Sequence, residues 1–328
     1  MMTEQLDRRS ILAGLALAAG APRGVSAQEA WPNRPVRVIV PFPPGSTPDT
    51  VARAVLPHLS EAFGQPFVAD NRPGAGGNLG TELVAKARDG HTLGVSINGP
   101  LVTAPALYPR LPYDPARDLS YISLLARGAQ LLVVHPSVPV EDFAGFVAHA
   151  RANAGAIAYG SVGAGSAGHL AMEEIKARLG LDLVHVPYKG FPEATLDLVA
   201  GRLQAMVIIA AGIIPHVAEG KARALAATAD HRLARLPAVP TLEEAGMPDA
   251  TSYAWMGMVA PSATPPAVVT RLGTEAQAAL AAPRARGVLE GAGFEVVGSD
   301  SAGFTAFASE ERARWGGLIR RLGITAEG

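Results

Sequence analysis

The sequence alternates between short runs of β-branched residues and segments with helical periodicity, and this alternation constrains the fold more than any other feature. Residues 36–40 form the first β-branched run, and a helical pattern follows at 48–63. The next segments in order are a strand at 67–69, a helix at 79–87 and a strand at 92–96. A βαβαβ order predicts a parallel sheet with helices on both faces.

The same alternation returns after a proline-rich break at 100–115. We expect strands at 131–134, 157–159, 183–186, 204–208 and 223–227, with helices near 140–153, 167–179, 192–200 and 212–219. A strand-like segment at 252–260 then leads into C-terminal helices, including an amphipathic one at 301–322. The two series predict two similar domains that are joined near residues 125 and 255.

The composition supports sizeable cores and excludes several classes of protein. Of the 328 residues, 48% are hydrophobic and the net charge is −1, which excludes intrinsic disorder and argues against a nucleic-acid binder. The chain has no cysteine, so disulfides, thiolate-bound metals and cysteine nucleophiles are excluded. The eight histidines lack the spacing of metal ligands. We therefore expect no metal site.

The first 27 residues have the pattern of an export signal. Arg8 and Arg9 precede an uncharged stretch at 11–21, and Val25-Ser26-Ala27 offers a small-x-small cleavage site. The uncharged stretch is shorter than the roughly 20 residues that are needed to span a bilayer. The segment predicts twin-arginine export, cleavage after Ala27 and a periplasmic mature protein.

Two loops lie where an open α/β sheet binds its ligands, between the end of a strand and the start of a helix. In the first loop, at 41–49, Ser46, Thr47 and Asp49 can either cap the helix or join backbone amides in binding an anion. The second loop, at 160–169, is rich in glycine and carries Ser161 and Ser166 as hydrogen-bond donors. Both loops are candidate anion sites.

The second loop also admits two enzymatic interpretations. Gly163, Gly165 and Gly168 match the glycine fingerprint of dinucleotide-binding folds, but the following strand ends at 186–189 without the carboxylate that would bind a ribose. Residues 164–168 come close to the nucleophile elbow of hydrolases, with His169 beside it. A nucleophile and its base are rarely adjacent in sequence, which disfavours a hydrolase. No Walker lysine follows a glycine-rich loop, so we expect no nucleotide cofactor.

Six short motifs, in order along the chain, carry a resemblance to a known family. They are WPxRP at 31–35, VPFPPG at 40–45, NRPGAGGN at 71–78, LYPxLPYD at 107–114, HVPYKG at 185–190 and LPxVPT at 236–241. In these motifs the sequence resembles the Bug (TctC) family, the extracytoplasmic solute receptors of tripartite tricarboxylate transporters. The resemblance covers essentially all of residues 31–325.

The resemblance implies an α/β periplasmic-binding-protein-like fold, with two parallel-sheet domains and a ligand cleft between them. Residues 28–125 and 256–328 would form domain 1, and residues 126–255 domain 2. A small carboxylate would be bound in the cleft for uptake by a membrane permease or for sensing, by a monomer without enzymatic activity. The alternative is a secreted serine hydrolase that acts on a small ester or amide. The implied ligand-binding residues are Gly45, Ser46, Thr47, Asp49, Asn98, Ser161, Gly163, Ser166 and His169; Asn98 could equally be a turn residue.

Two departures from the family pattern bear on the ligand. Ser46-Thr47-Pro48 stands where relatives commonly have two glycines, which adds hydroxyl groups and stiffens the start of the helix. Where relatives often place carboxylates, residues 204–209 end in an apolar stretch that includes Ile208. An apolar Ile208 at the cleft would offer no counter-charge to an ammonium group. We expect a carboxylate with an apolar or neutral far end rather than a free amino acid.

Overall fold

The computed structural model describes residues 31–326 and begins with the expected βαβαβ series. Its elements are β1 (Val36–Val40), α1 (Thr47–Phe63), β2 (Phe67–Asn71), α2 (Asn78–Lys86) and β3 (Thr92–Ile97). β1 pairs in parallel with both β2 and β3. Val51, Val55 and Leu59 of α1 are fully buried in the core beneath this sheet, and each such side chain contributes about 1.5–3 kcal/mol through burial.

Short helical segments lead from β3 into the second series. A π-helical turn (Gly99–Thr103), α3 (Ala104–Leu107) and α4 (Pro115–Asp118) precede the long strand β4 (Leu119–Val134). The elements that follow are α5 (Phe143–Ala152), β5 (Ala158–Ser161), α6 (Ala167–Leu179), β6 (Val184–Pro187), α7 (Phe191–Val199), β7 (Ala205–Ile209), α8 (Ala210–Ala218) and β8 (Arg223–Ala227). β5 pairs in parallel with β6 and β7, so a second parallel sheet is present as expected.

The C-terminal part of the chain returns to the first sheet. Its elements are β9 (Tyr253–Pro261), α9 (Pro266–Ala281), α10 (Pro283–Gly291), β10 (Glu295–Val296) and α11 (Ser301–Leu322). β9 lies antiparallel between β3 and β4. Leu272 of α9 joins the core that α1 also fills, and Phe304 of α11 packs edge-on against Tyr121 of β4, with ring centroids 4.9 Å apart.

The sheet is mixed rather than parallel throughout. Its strands follow the order β2-β1-β3-β9-β4-β7-β5-β6, with β8 and β10 also paired to β4. Parallel pairing holds at the two ends, whereas β4 and β9 run antiparallel to their neighbours in the middle. The two-lobed α/β class is thus confirmed. The strand expected at 131–134 is the last part of β4, which extends over 16 residues.

We call β1 to β3 with the π-helical turn, α1 to α4 and α9 to α11 lobe 1, and β5 to β8 with α5 to α8 lobe 2. β4 and β9 belong to both lobes. The expected domain joins near residues 125 and 255 fall inside these two strands, and the exact division stays a prediction. The expected signal peptide lies outside the described residues. Within residues 31–326, no helix combines the length and the apolar character that crossing a membrane requires.

Candidate functional site

A cavity of about 710 Å³ lies between the two lobes. Lobe 1 contributes the loop after β1, from Phe42 to Pro48, together with Asn98 at the end of β3. Lobe 2 contributes the starts of α6, α7 and α8, and Ile208 at the end of β7. The lining thus includes Ile208, where the sequence analysis considered an apolar residue at the cleft. It also includes Asn98, which is 3% exposed.

Four helices begin at this cavity. The lining includes Thr47 of α1, Ala167 of α6, Phe191 of α7 and Ala211 in the first turn of α8. The first N–H groups of a helix lack partners within the helix, and each N-terminus carries about half a positive charge. Among the described lining residues, the charged side chains are Lys189 and Glu193, which are exposed and opposite in sign. The fixed dipoles therefore favour an anion.

The loop that precedes α1 is held from behind by Asp49. This carboxylate is 2% exposed and lies outside the cavity lining. It accepts hydrogen bonds from the backbone N–H of Gly45 (2.8 Å), from Arg53 Nε (2.9 Å) and from Asn71 Nδ2 (2.9 Å). Burial alone would raise the pKa of Asp49, but these hydrogen bonds and the Arg53 charge outweigh it and leave the pKa below its usual value. Asp49 is therefore ionised, and its carboxylate positions the loop.

Ser46 is the N-cap residue of α1 but does not cap it. Its side chain makes no capping hydrogen bond, and its buried Oγ has no partner among the described residues. Gly45 turns the chain at a φ of +76° immediately before it, a conformation that favours glycine. The Ser46 hydroxyl and the first N–H groups of α1 are therefore left for a ligand.

The second loop meets the cavity at Val162 and again at its end, from Ser166 to Gly168. Ser166 lines the cavity and caps α6, because its Oγ accepts a hydrogen bond from the backbone N–H of His169 (3.4 Å). Gly163 lies outside the lining and donates its N–H to Ser161 Oγ (3.1 Å). Ser161 also lies outside the lining and is 1% exposed. Of the residues expected in this loop, Ser166 is the one that reaches the cavity.

A stack of three rings, two of them buried and one half-buried, supports this loop from behind. We call Tyr159, His169 and His185 the ring stack; the centroids of the two imidazoles are 4.1 Å apart, and Tyr159 is 5.0 Å from His185. His169 Nδ1 accepts the Gly165 N–H (3.0 Å), and His185 Nε2 lies 2.7 Å from Ser161 Oγ. Burial lowers the pKa of His169 to about 3 and that of His185 to about 4. Both imidazoles are therefore neutral at pH 7, and their contacts stabilise the conformation of the loop.

This geometry gives the hydrolase alternative no support. The elbow interpretation needs the imidazole of His169 beside the hydroxyl of Ser166. Ser166 Oγ instead meets the backbone N–H of His169, while the imidazole turns away to Gly165. The serine that does lie near an imidazole, Ser161, is buried outside the cavity lining.

The second loop is also attached directly to lobe 1. Thr103 Oγ1 donates a hydrogen bond to the carbonyl oxygen of Gly165 (2.9 Å). A Cβ on Gly165 would lie 2.1 Å from Leu107 Cδ1, so the loop backbone packs tightly against α3. Farther along, Arg314 of α11 donates to the Thr251 carbonyl (2.6 Å) and to Glu174 of α6 (3.3 Å). The N-terminus of α6 is therefore fixed relative to lobe 1.

Several lining residues were not expected from the sequence. They include Phe191 and Trp255, and two polar residues with unpartnered atoms, Gln130 and His216. The one available signal was Gln130, a single polar residue within the apolar segment 129–134. Within residues 31–326, no group of three or more His, Cys, Asp or Glu side chains is placed to hold a metal ion.

The structure has two α/β lobes that share two strands, and helix N-termini from both lobes lie at the cavity between them. This arrangement defines a two-lobed binding protein. Comparison with protein families agrees: residues 51–324 match the tripartite tricarboxylate transporter family receptor, TctC. The chain belongs to this family.

Individual relatives cover nearly the whole chain. A UPF0065 protein in the tcbD-tcbE intergenic region of Pseudomonas sp. (strain P51) is 39% identical over 98% of this chain and 96% of its own length. The structure of R. palustris Rpa4515 with adipate is 35% identical with a TM-score of 0.84, over 90% of this chain and 99% of that one. MatC from Rhodopseudomonas palustris with bound malate is 32% identical with a TM-score of 0.82, over 88% of this chain and 100% of that one.

Proposed function

We propose that the chain is an exported periplasmic receptor that captures a small organic carboxylate between its lobes. The observation that carries this proposal is a pair of helix N-termini, α1 from lobe 1 and α6 from lobe 2, that face one cavity. At this cavity, Ser46 Oγ has no hydrogen-bond partner within residues 31–326. The adipate and malate in the two R. palustris structures support a carboxylate ligand. As in other members of its family, the captured solute would be presented to a membrane permease. We expect the receptor to act as a monomer.

Hydrogen bonds can supply the affinity without an arginine in the site. Each hydrogen bond to a charged group contributes about 1.5–3 kcal/mol. Three or four of them, from Ser46, Thr47, Ser166 and backbone N–H groups, approach the roughly 8 kcal/mol of micromolar binding after ordering costs. Binding favours closure only to the extent that the closed form binds the ligand more tightly.

We expect Ser46→Ala to weaken carboxylate binding about 10-fold or more, because one hydrogen bond to the charged ligand is lost. Stability should change little, since Ser46 Oγ makes no hydrogen bond within the described residues. Calorimetric titration with adipate and malate would measure the affinity, and thermal unfolding would monitor the fold.

Ser262→Ala is the matched control, because Ser262 is an exposed serine of lobe 1 outside the cavity lining. It should leave the affinity unchanged. Ser166→Ala is a less clean test, since Ser166 also caps α6, and losing a cap costs about 1 kcal/mol of stability. Equal affinities for the Ser46 and Ser262 variants would remove Ser46 from the site.

A further inference from the structure

The sheet of lobe 2 divides the cavity into two sides. Along β7, Val207 packs into the core beneath α6, whereas Ile208 packs into the core beneath α7 and α8, because neighbouring side chains of a strand point to opposite faces. The N-terminus of α6, with Ser166, therefore lies on one face of the sheet, and α7 and α8 lie on the other. Since both Ser166 and Ile208 line the cavity, the cavity continues around the carboxyl end of β7.

The side of the cavity that faces α7 and α8 has an apolar lining, and we call it the far pocket. Lobe 2 contributes to it Phe191, Pro192 and Leu196 of α7, Ile208 of β7 and Ala211 of α8. Lobe 1 contributes Phe294. The residue before it, Gly293, contacts the start of α8, because a Cβ on Gly293 would lie 2.8 Å from the Cβ of Ala211. Apolar side chains of both lobes thus meet at the far pocket.

Two of these side chains leave apolar surface uncovered. Leu196 is 62% exposed, the largest exposed fraction among the large apolar side chains of residues 31–326. Phe191 is half-buried, although it packs against the cores of both lobes. Apolar surface that water covers is stabilised when an apolar group replaces the water. The far pocket therefore favours an apolar occupant.

A second charged group would fit the far pocket poorly. Lys189 and Glu193, the charged residues of the described lining, both belong to this side, but they are exposed and opposite in sign. The other polar residues on this side are Thr195 and His216. The N-termini of α7 and α8 would attract an anion, but the apolar side chains around them would remove its hydration without offering donors. An apolar group loses no hydrogen bonds there.

We propose that the ligand is a hydrophobic monocarboxylate whose carboxylate lies at the N-termini of α1 and α6 and whose apolar chain occupies the far pocket. This inference rests on the proposed function, because the carboxylate anchors the first end of the ligand. It names the substrate class as medium-chain monocarboxylates, in preference to dicarboxylates of the same length.

The test is a calorimetric titration with alkanoates and α,ω-dicarboxylates of four, six and eight carbons. We expect the affinity for the alkanoates to rise about two- to fourfold with each added CH₂, because each CH₂ is removed from water in the far pocket. At eight carbons, the alkanoate should bind at least about 10-fold more tightly than the dicarboxylate, whose second charge would lose its hydration.

Leu196→Gln tests where the chain lies, and the exposed position of Leu196 should let this variant fold normally. It should weaken octanoate binding about fivefold, because part of the apolar contact is lost. Butanoate binding should stay within about twofold, since a short chain does not extend as far. Leu83→Gln is the matched control, because Leu83 is an exposed leucine in the middle of α2 and lies outside the cavity lining. It should leave both affinities unchanged.

Several outcomes would overturn this inference and leave the carboxylate receptor in place. Tighter binding of the eight-carbon dicarboxylate than of octanoate would do so, and so would an alkanoate affinity that does not depend on chain length. An equal change for butanoate and octanoate in Leu196→Gln, or no change for either, would show that the chain does not occupy the far pocket. If no acid of either series binds, the carboxylate proposal itself fails and this inference fails with it.

Discussion

Gly168→Ala should both destabilise the protein and abolish most of its carboxylate affinity. A Cβ at this position would lie 2.2 Å from the carbonyl oxygen of Val207, which is backbone and cannot rotate away. The first turn of α6 must then move off β7. We expect the free energy of unfolding to fall by about 1–3 kcal/mol, as in other overpacked cores. Losing two hydrogen bonds to the carboxylate would weaken binding about 100-fold.

Gly212→Ala is the matched control for this variant. Gly212 also lines the cavity, near the N-terminus of α8, but a Cβ there would meet no atom within 4 Å. Alanine is the better helix former by about 0.5–1 kcal/mol, so this variant should be slightly stabilised and bind normally. Denaturant unfolding and calorimetry on both variants would measure the contrast. Equal behaviour of the two variants would show that the position of α6 does not determine affinity.

The protein should lose stability steeply as the pH falls below about 6.5. Burial lowers the pKa of His169 to about 3 and that of His185 to about 4, both from an ordinary value of 6.5. Above pH 6.5 both histidines are neutral in the folded and the unfolded chain, and their contribution to stability is complete. Below it the unfolded chain binds protons that the folded chain excludes, so the free energy of unfolding decreases. Between pH 6.5 and 5 the loss is about 2 kcal/mol for each histidine.

Denaturant unfolding between pH 7.5 and 4.5 would measure this loss. The double variant His169→Gln, His185→Gln has no imidazole to protonate in the ring stack, so its stability should depend less on pH over this range. Each single variant should remove about half of the difference. Lys176 and Glu173, which form an ion pair beside the ring stack, are left unchanged in all variants, so the two histidines are the groups that differ. An equally steep acid loss in the double variant would contradict the assignment.

The helices and the cavity loops were predictable from local sequence, whereas the middle of the sheet was not. Helical periodicity placed α6 and α11 at 167–179 and 301–322, as found. β4 was recognised only at its end, because Ser120, Ser123 and Arg127 interrupt its apolar pattern. Arg127 lies in the strand because a tertiary contact satisfies its charge: it pairs with Glu295 of β10 at 2.7 Å. Contacts so distant in sequence leave no periodic signal.

The candidate site was predictable to the level of the loops but not of the side chains. Ser46, Thr47, Asn98 and Ser166 reach the cavity lining, because they stand directly at the junctions of strands and helices. Asp49 and His169 lie outside the lining, because their side chains turn back to accept the N–H groups of Gly45 and Gly165; local sequence does not reveal this direction. Gln130 comes from β4, whose position depends on pairing with β7 and β9. Only the assembled sheet brings this residue to the cavity.

The hydrogen bond between Thr103 and Gly165 has a consequence for the order of events during capture. Any rotation of the lobes that preserves this bond must have its axis near it, so the start of α6 travels least. Among the described residues, no such bond attaches the starts of α7 and α8 to lobe 1. In such a rotation they would move farther than the start of α6. On the proposed function, the carboxylate would therefore dock on a surface that changes little as the lobes move. The far end of the ligand would be enclosed last, so its fit would determine how long a solute stays bound.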